Sequence, residues 1–305
     1  MSHRVLVTAA VIASLPATLQ GQQPSQATSG AASLSPTVET QELTSEVFEN
    51  TRSLRILLPP GYHDPKNAEV KYPVLYLNDG VMAFHPPAID VPGVFQKLYA
   101  DGAIPPILVV GIDNGGTTDQ TTNAVRDRAN EYLPYPDAGF DTLRYAPDPP
   151  NPEGRRYPDF LIGEVMPLIE RTYRVQTGPA HTAIGGFSYG GVAALYAVIR
   201  RPWTFGGLLL ESTPLWIGPE KELLRDARAS ASWPATVYVG LGTLESPEEV
   251  TRAEGLLDRD ALVAIIRQGS PATRLELVLE DGASHEPAAW RRRLPGAVVT
   301  LFTRR

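Results

Sequence analysis

Ile184-Gly185-Gly186-Phe187-Ser188-Tyr189-Gly190-Gly191 is the stretch on which the reading of this chain turns. It contains G-x-S-x-G, as Gly186-Phe187-Ser188-Tyr189-Gly190. The apolar run Thr182-Ala183-Ile184 precedes it, and the helix-like run Val192 to Ile199 follows. Strand, tight turn and helix form the context in which this pattern presents a reactive serine. The turn holds the serine at a strained backbone angle, so its hydroxyl projects from the sheet edge. Flanking glycines avoid collisions with the strand and helix on either side. Ser188 is therefore the candidate nucleophile. The competing reading is a glycine-rich turn that only packs a helix close to a strand.

A nucleophilic serine needs a base and a carboxylate that orients it. The chain has five histidines, His3, His63, His85, His181 and His285. His3 lies in a targeting-like segment and His63 in a turn, Pro60-Gly61-Tyr62-His63-Asp64-Pro65. His181 precedes the strand leading to Ser188, at its far end. His85 comes before the serine in the chain. His285 follows the alternating run Leu275-Glu276-Leu277-Val278-Leu279 and sits in Asp281-Gly282-Ala283-Ser284-His285. After a serine on a strand-to-helix turn, the acid and then the histidine follow in chain order. His285 fits the base. Thr236 to Gly242 reads as the strand between them, and Glu245 is the first carboxylate after it. Glu248, Glu249, Asp258 and Asp260 fall in a helical pattern, where a solvated face is the simpler account.

Acyl transfer also needs two N–H groups aimed at the developing oxyanion. One comes from the residue after the nucleophile, Tyr189. The other should follow an early central strand. Pro73-Val74-Leu75-Tyr76-Leu77 is such a strand, and Asn78-Asp79-Gly80-Val81 follows it. Spacing alone leaves Gly80 and Val81 as equal candidates.

These residues carry a resemblance. The chain resembles the esterase D-like group of α/β-hydrolases, which includes siderophore trilactone esterases, feruloyl and acetyl-xylan esterases, and mycolyltransferases. The likeness runs from about Leu54 to Phe302 through Leu58-Pro59-Pro60-Gly61-Tyr62, Tyr72 to Gly80, and Val110-Gly111-Ile112-Asp113. It continues through Arg128-Ala129-Asn130-Glu131-Tyr132, Val165 to Arg174, the serine turn, and His285-Glu286-Pro287-Ala288-Ala289-Trp290. The resemblance implies Ser188 and His285 as catalytic, Glu245 as the acid, Val81 as the second oxyanion donor, and Arg128 and Glu131 near the substrate. Some siderophore esterases of this group work with a dyad, so it leaves the use of the acid open. It implies no metal or organic cofactor.

Composition agrees with one α/β domain. The chain has 305 residues, 43% of them hydrophobic, enough for a single large core. Net charge is −7 without a basic block, which argues against a nucleic-acid partner. There is no cysteine, which excludes disulfides and thiolate metal sites. Arg4 and the apolar Val5 to Leu15 read as a signal peptide over residues 1–21, too short to span a bilayer. Residues 22–42 read as a disordered linker, and 43–305 as the enzyme domain. The expected location is periplasmic or secreted, and no membrane span is predicted.

Glu46-Val47-Phe48-Glu49 and Leu54 to Leu58 predict an opening antiparallel hairpin. Strands then alternate with helices, which predicts a mainly parallel sheet covered on both faces, with the site at the carboxyl ends of its strands. The segment from Asp113 to Tyr157 breaks this rhythm and is rich in Pro, Gly, Asn, Asp and Thr. Long irregular loops in compact domains are usually functional or disordered. Its Tyr132, Tyr135, Phe140 and Tyr145 read either as a wall for a planar acyl group or as rings packing the loop down. Trp216 follows a strand and is expected to line the pocket, whereas Trp203 and Trp233 sit beside prolines and read as structural. The expected substrate is a small-molecule or saccharide ester. Two other functions fit the same residues: an acyltransferase, and a non-catalytic ligand-binding protein.

Overall fold

Four strands are mostly apolar and buried along their whole length: β3 (Val74–Asn78), β4 (Leu108–Ile112), β5 (Thr182–Phe187) and β6 (Gly207–Glu211). That composition belongs to the middle of a parallel sheet with helices on either side. The computed structural model describes residues 35–115, 124–137 and 152–303, and in it these strands form the centre of one eight-stranded sheet. The other strands are β1 (Thr37–Ser45), β2 (Asn50–Leu58), β7 (Thr236–Leu244) and β8 (Arg274–Ser284). Their order across the sheet is β1-β2-β4-β3-β5-β6-β7-β8. β1 and β2 are antiparallel, β2 joins β4 antiparallel, and every pair from β4 to β8 is parallel.

Helices cover both faces. In chain order they are α1 (Gly80–Phe84), α2 (Val91–Ala100), α3 (Ala124–Tyr132), α4 (Tyr157–Phe160), α5 (Met166–Thr172), α6 (Tyr189–Arg200), α7 (Glu222–Arg228), α8 (Glu249–Gly269) and α9 (Pro287–Phe302). A π-helical turn, Leu161–Val165, joins α4 to α5. Phe95 and Leu98 of α2 share one core layer with Trp290, Leu294 and Val298 of α9. The opposite layer holds α6 with Leu262, Ile265 and Ile266 of α8. Among the described residues no helix is long and apolar enough to cross a membrane.

Several expectations need correction. The opening hairpin is longer and displaced: β1 begins at Thr37, inside the stretch read as linker, and Glu46–Glu49 is the turn. β1 is an edge strand with one half-exposed face, so its sequence TVETQELTS carries little apolar signal. β8 runs to Ser284 because Leu244 pairs with Ser284 beyond a register shift at Gly242/Leu244. α3 lies within the segment read as irregular. Tyr132 and Tyr135 pack inward. The Tyr132 hydroxyl accepts from the Asp79 N–H (3.0 Å) and its ring meets Tyr157 edge-on. The Tyr135 hydroxyl donates to Asp226, and its ring lies under Arg155 and against Tyr196. Phe140, Tyr145 and residues 1–34 lie outside the described residues. Trp233 is buried as expected, but Trp203 stands 67% exposed.

Candidate active site

The parallel strands β3, β5, β6, β7 and β8 end at Asn78, Phe187, Glu211, Leu244 and Ser284. Carboxyl ends of parallel strands lie on one edge of a sheet, where α/β proteins bind ligands. The residues just past them are Asp79-Gly80-Val81, Ser188, Ser212, Glu245 and His285. Positions more than 200 residues apart in sequence thus share one edge because each directly follows a strand.

Ser188 joins β5 to α6 with φ +54° and ψ −127°, a backbone region that residues with a Cβ rarely enter. Its N–H donates to the Glu211 carbonyl (2.9 Å) on the neighbouring strand, which fixes the turn. A Cβ on Gly186 would collide with the Gly190 backbone, and one on Gly190 would come within 2.6 Å of Asp79 Oδ2. Those two glycines are what the sharp reversal requires.

The side chains then meet in a line. Ser188 Oγ lies 3.0 Å from His285 Nε2, and His285 Nδ1 lies 2.7 Å from Glu245 Oε2. With Nδ1–H donating to the carboxylate, Nε2 is the acceptor for the serine hydroxyl. The imidazole is 38% exposed and the carboxylate 14%. Burial pushes the Glu245 carboxyl up, but hydrogen bonds from His285, Ser212 and the Gly242 N–H outweigh it and hold the group below its usual range. The acid therefore remains charged beside the imidazole through mildly acidic pH.

Tyr189 opens α6 and Val81 sits in the first turn of α1, where N–H groups point out of a helix end instead of along it. β3 and β5 pair directly, so the two helix starts are neighbours. Asn78 Nδ2 donates to the Gly190 carbonyl (2.6 Å), which ties the end of β3 to the first turn of α6. Tyr157 donates to Asn78 Oδ1 from below. Val81 itself is 41% exposed, at the surface of this edge.

Of the residues expected to bind substrate, Trp216 and Arg128 stand near this edge and Glu131 does not. Trp216 is half-buried and lines a cavity of about 60 Å³ with Thr213, Leu241, Arg252, Glu245 and His285. Its indole N–H donates to Asp137 Oδ1 (3.0 Å), and Asp137 Oδ2 accepts from the Tyr189 hydroxyl (2.8 Å). Arg128 makes a forked ion pair with Asp79 (2.5 and 2.8 Å) and donates to the carbonyl of Phe187 (3.2 Å), the residue before the serine. Glu131 is drawn into the interior as the ion-pair partner of Arg52 and accepts from the Gly115 N–H (2.8 Å). Arg52 needs that charge because it is itself fully buried.

Sequence reading missed Asn78, Asp79, Asp137, Ser212, Trp290 and Arg293 around the site. Asn78, Asp79 and Trp290 had a usable signal, since each lies inside a stretch that carries the family resemblance or follows the β3 strand. The others are ordinary residue types brought in by tertiary contacts.

Beneath the acid, Glu211 pairs with Arg293 (2.8 Å). Burial, only partly offset by Arg293, pushes the Glu211 carboxyl up from 4.5 to about 7. Between those values the unfolded chain releases its proton first, so this group lowers stability as pH rises. Glu211→Gln has no such slope. The variant's melting temperature, measured against the parent, is expected to improve steadily from pH 4.5 to pH 7. A difference that stays flat across this window contradicts the raised value.

A protein-family model described as "Putative esterase" matches residues 45–301. The chain is 26% identical over 265 residues to an endo-1,4-beta-xylanase/feruloyl esterase of Xylanibacter ruminicola, covering 85% of this chain and 30% of that protein. It thus spans less than a third of that relative's length. Among solved structures it is similar to a ferulic acid esterase, with TM-score 0.64, 21% identity and coverage of 88% and 98% of the two chains. It is also similar to a siderophore hydrolase from Aspergillus nidulans, with TM-score 0.69, 19% identity and coverage of 87% and 95%. Those structural likenesses establish a shared α/β-hydrolase fold. The match over most of the chain places this protein in the esterase family, whose chemistry is carboxylic ester hydrolysis.

Proposed function

We propose that this protein is a serine esterase that works through an acyl-serine intermediate. The supporting observation is the hydrogen-bonded line Ser188 Oγ, His285 Nε2, His285 Nδ1, Glu245 Oε2, with Ser188 at the start of a helix. His285 takes the hydroxyl proton as Ser188 attacks the ester carbonyl. The tetrahedral oxyanion is bound by the Tyr189 and Val81 N–H groups. Collapse expels the alcohol, which receives its proton from His285. Water then attacks the acyl-serine while His285 takes one of its protons. Release of the acid returns a proton to Ser188. Glu245 keeps Nδ1 protonated and stabilises the imidazolium.

The substrate we propose is an ester of a bulky, aromatic acid or a polyhydroxy alcohol, of the feruloyl, siderophore or acetyl-sugar type. The half-buried Trp216 ring, which lines a cavity with Glu245 and His285, and the names of the relatives support this class. A panel of feruloyl, acetyl-sugar, catechol-trilactone and long-chain lipid esters at matched concentration tests it. A preference for lipid esters of more than about tenfold in kcat/KM, about 1.4 kcal/mol, would reject the class. Export follows in this reading from Arg4 and the apolar Val5 to Leu15. It predicts a secreted or periplasmic form beginning near Gln22, checked by intact mass.

Glu245→Gln keeps the shape of the acid but removes its charge. Expected activity falls by about 10²- to 10⁴-fold, toward what loss of the orienting carboxylate costs in other triads. Asp260→Asn, on the exposed face of α8, is expected to change kcat by less than about twofold. Asp258, expected on a solvated face, is instead buried and paired with Lys221, so its replacement bears on stability and not on the triad. Unchanged activity in Glu245→Gln would mean that a Ser-His dyad suffices.

A further inference from the structure

Ser212 follows β6 and is buried, with φ +47° and its N–H donated to the Gly240 carbonyl (2.8 Å). Its hydroxyl has three neighbours. Trp290 Nε1 lies at 2.8 Å, Arg293 Nη2 at 3.3 Å and Glu245 Oε1 at 2.7 Å. A hydroxyl offers one proton and two lone pairs. Indole N–H and guanidinium can only donate, so they take the lone pairs. The single proton is left for Glu245.

The consequence reaches the histidine. Glu245 Oε1 accepts from Ser212 and from the Gly242 N–H (2.6 Å), while Oε2 is left to His285. Both donors fix the carboxylate's rotation, and both favour its charged form. Trp290 belongs to the same assembly. Its ring stacks on Phe187 (5.5 Å) and meets His285 edge-on (5.2 Å). Arg293 is anchored independently by Glu211 (2.9 Å) and Glu280 (2.7 Å), so its donation to Ser212 comes from a fixed group.

We propose that Ser212 is a positioning residue for hydrolysis: Trp290 and Arg293 of α9 force its hydroxyl proton onto Glu245, which dedicates the other carboxylate oxygen to His285. The inference rests on the acyl-serine reading above and goes beyond it, because Ser212 touches neither substrate nor the reacting atoms.

A double-mutant cycle tests it. Ser212→Ala is expected to lower kcat by on the order of tenfold, the worth of a hydrogen bond to a charged group, with KM nearly unchanged. In the Glu245→Gln background the same change should cost less than about twofold, because the charged carboxylate that Ser212 positions for His285 is gone even though the amide oxygen can still accept. Ser212→Cys, nearly isosteric and a weak donor, should behave like the alanine variant and keeps the site testable if alanine destabilises the fold. Equal losses in both backgrounds would overturn the proposal in favour of general packing. So would an active Ser212→Ala enzyme alongside a crippled Glu245→Gln. If Glu245→Gln is fully active while Ser188→Ala is dead, this inference fails and the acyl-serine reading survives. If Ser188→Ala is active, the reading beneath it fails first.

Discussion

Ser188→Ala is expected to lower kcat on an activated ester by about 10³-fold or more, leaving the residual rate that oxyanion binding alone supports. Stability should barely change. The substitution removes one oxygen whose hydrogen bond is to a 38% exposed imidazole, and surface bonds of that kind contribute little. The backbone strain at φ +54° is carried by the alanine as it was by the serine. Two measurements separate lost chemistry from lost fold. Thermal unfolding should match the parent, and a fluorophosphonate probe should add its mass to the parent but not to the variant. A Ser188→Ala protein that still accumulates acyl-enzyme would remove Ser188 from the mechanism. An unlabelled parent would favour a ligand-binding protein over an enzyme.

The serine turn was legible because its signal is local. Four glycines, an apolar strand and a small-residue helix all lie within about twenty residues, and each element obeys its own short-range rule. His285 and Glu245 were legible for a related reason. In a parallel sheet, the first polar residues after a strand fall on the functional edge, so finding β7 and β8 finds their candidates.

What stayed hidden depends on contacts across long sequence separations. Nothing near Ser212 announces that Trp290 and Arg293, 78 and 81 positions on, will fill its lone pairs. Glu131 shows the converse. It shares a short motif with Arg128, yet α3 carries Arg128 to Asp79 at the site and Glu131 to buried Arg52. Tyr132 and Tyr135 looked equally able to face substrate or core, because composition does not record which way a ring turns. Their hydroxyl partners, the Asp79 N–H and the Asp226 carboxylate, settle that they face inward.

His285→Ala should match the loss in Ser188→Ala, and the double variant should be no worse than either, because nucleophile and base act as one unit. The imidazole is reached from solvent, so added imidazole is expected to restore part of the rate to His285→Ala and none to Ser188→Ala. His85 is the proper control. It lies at the end of α1, exposed, one strand over from the serine. His85→Ala should change kcat/KM by less than about twofold, as surface substitutions away from a reacting centre usually do. The edge-on contact with Trp290 makes a second point available. Removing the His285 ring opens space beside Trp290, so tryptophan fluorescence should shift in His285→Ala but not in Ser188→Ala, whose hydroxyl touches no indole. A larger loss in His85→Ala than in His285→Ala would transfer the base to the β3 side of the sheet and dissolve the triad, Glu245 included.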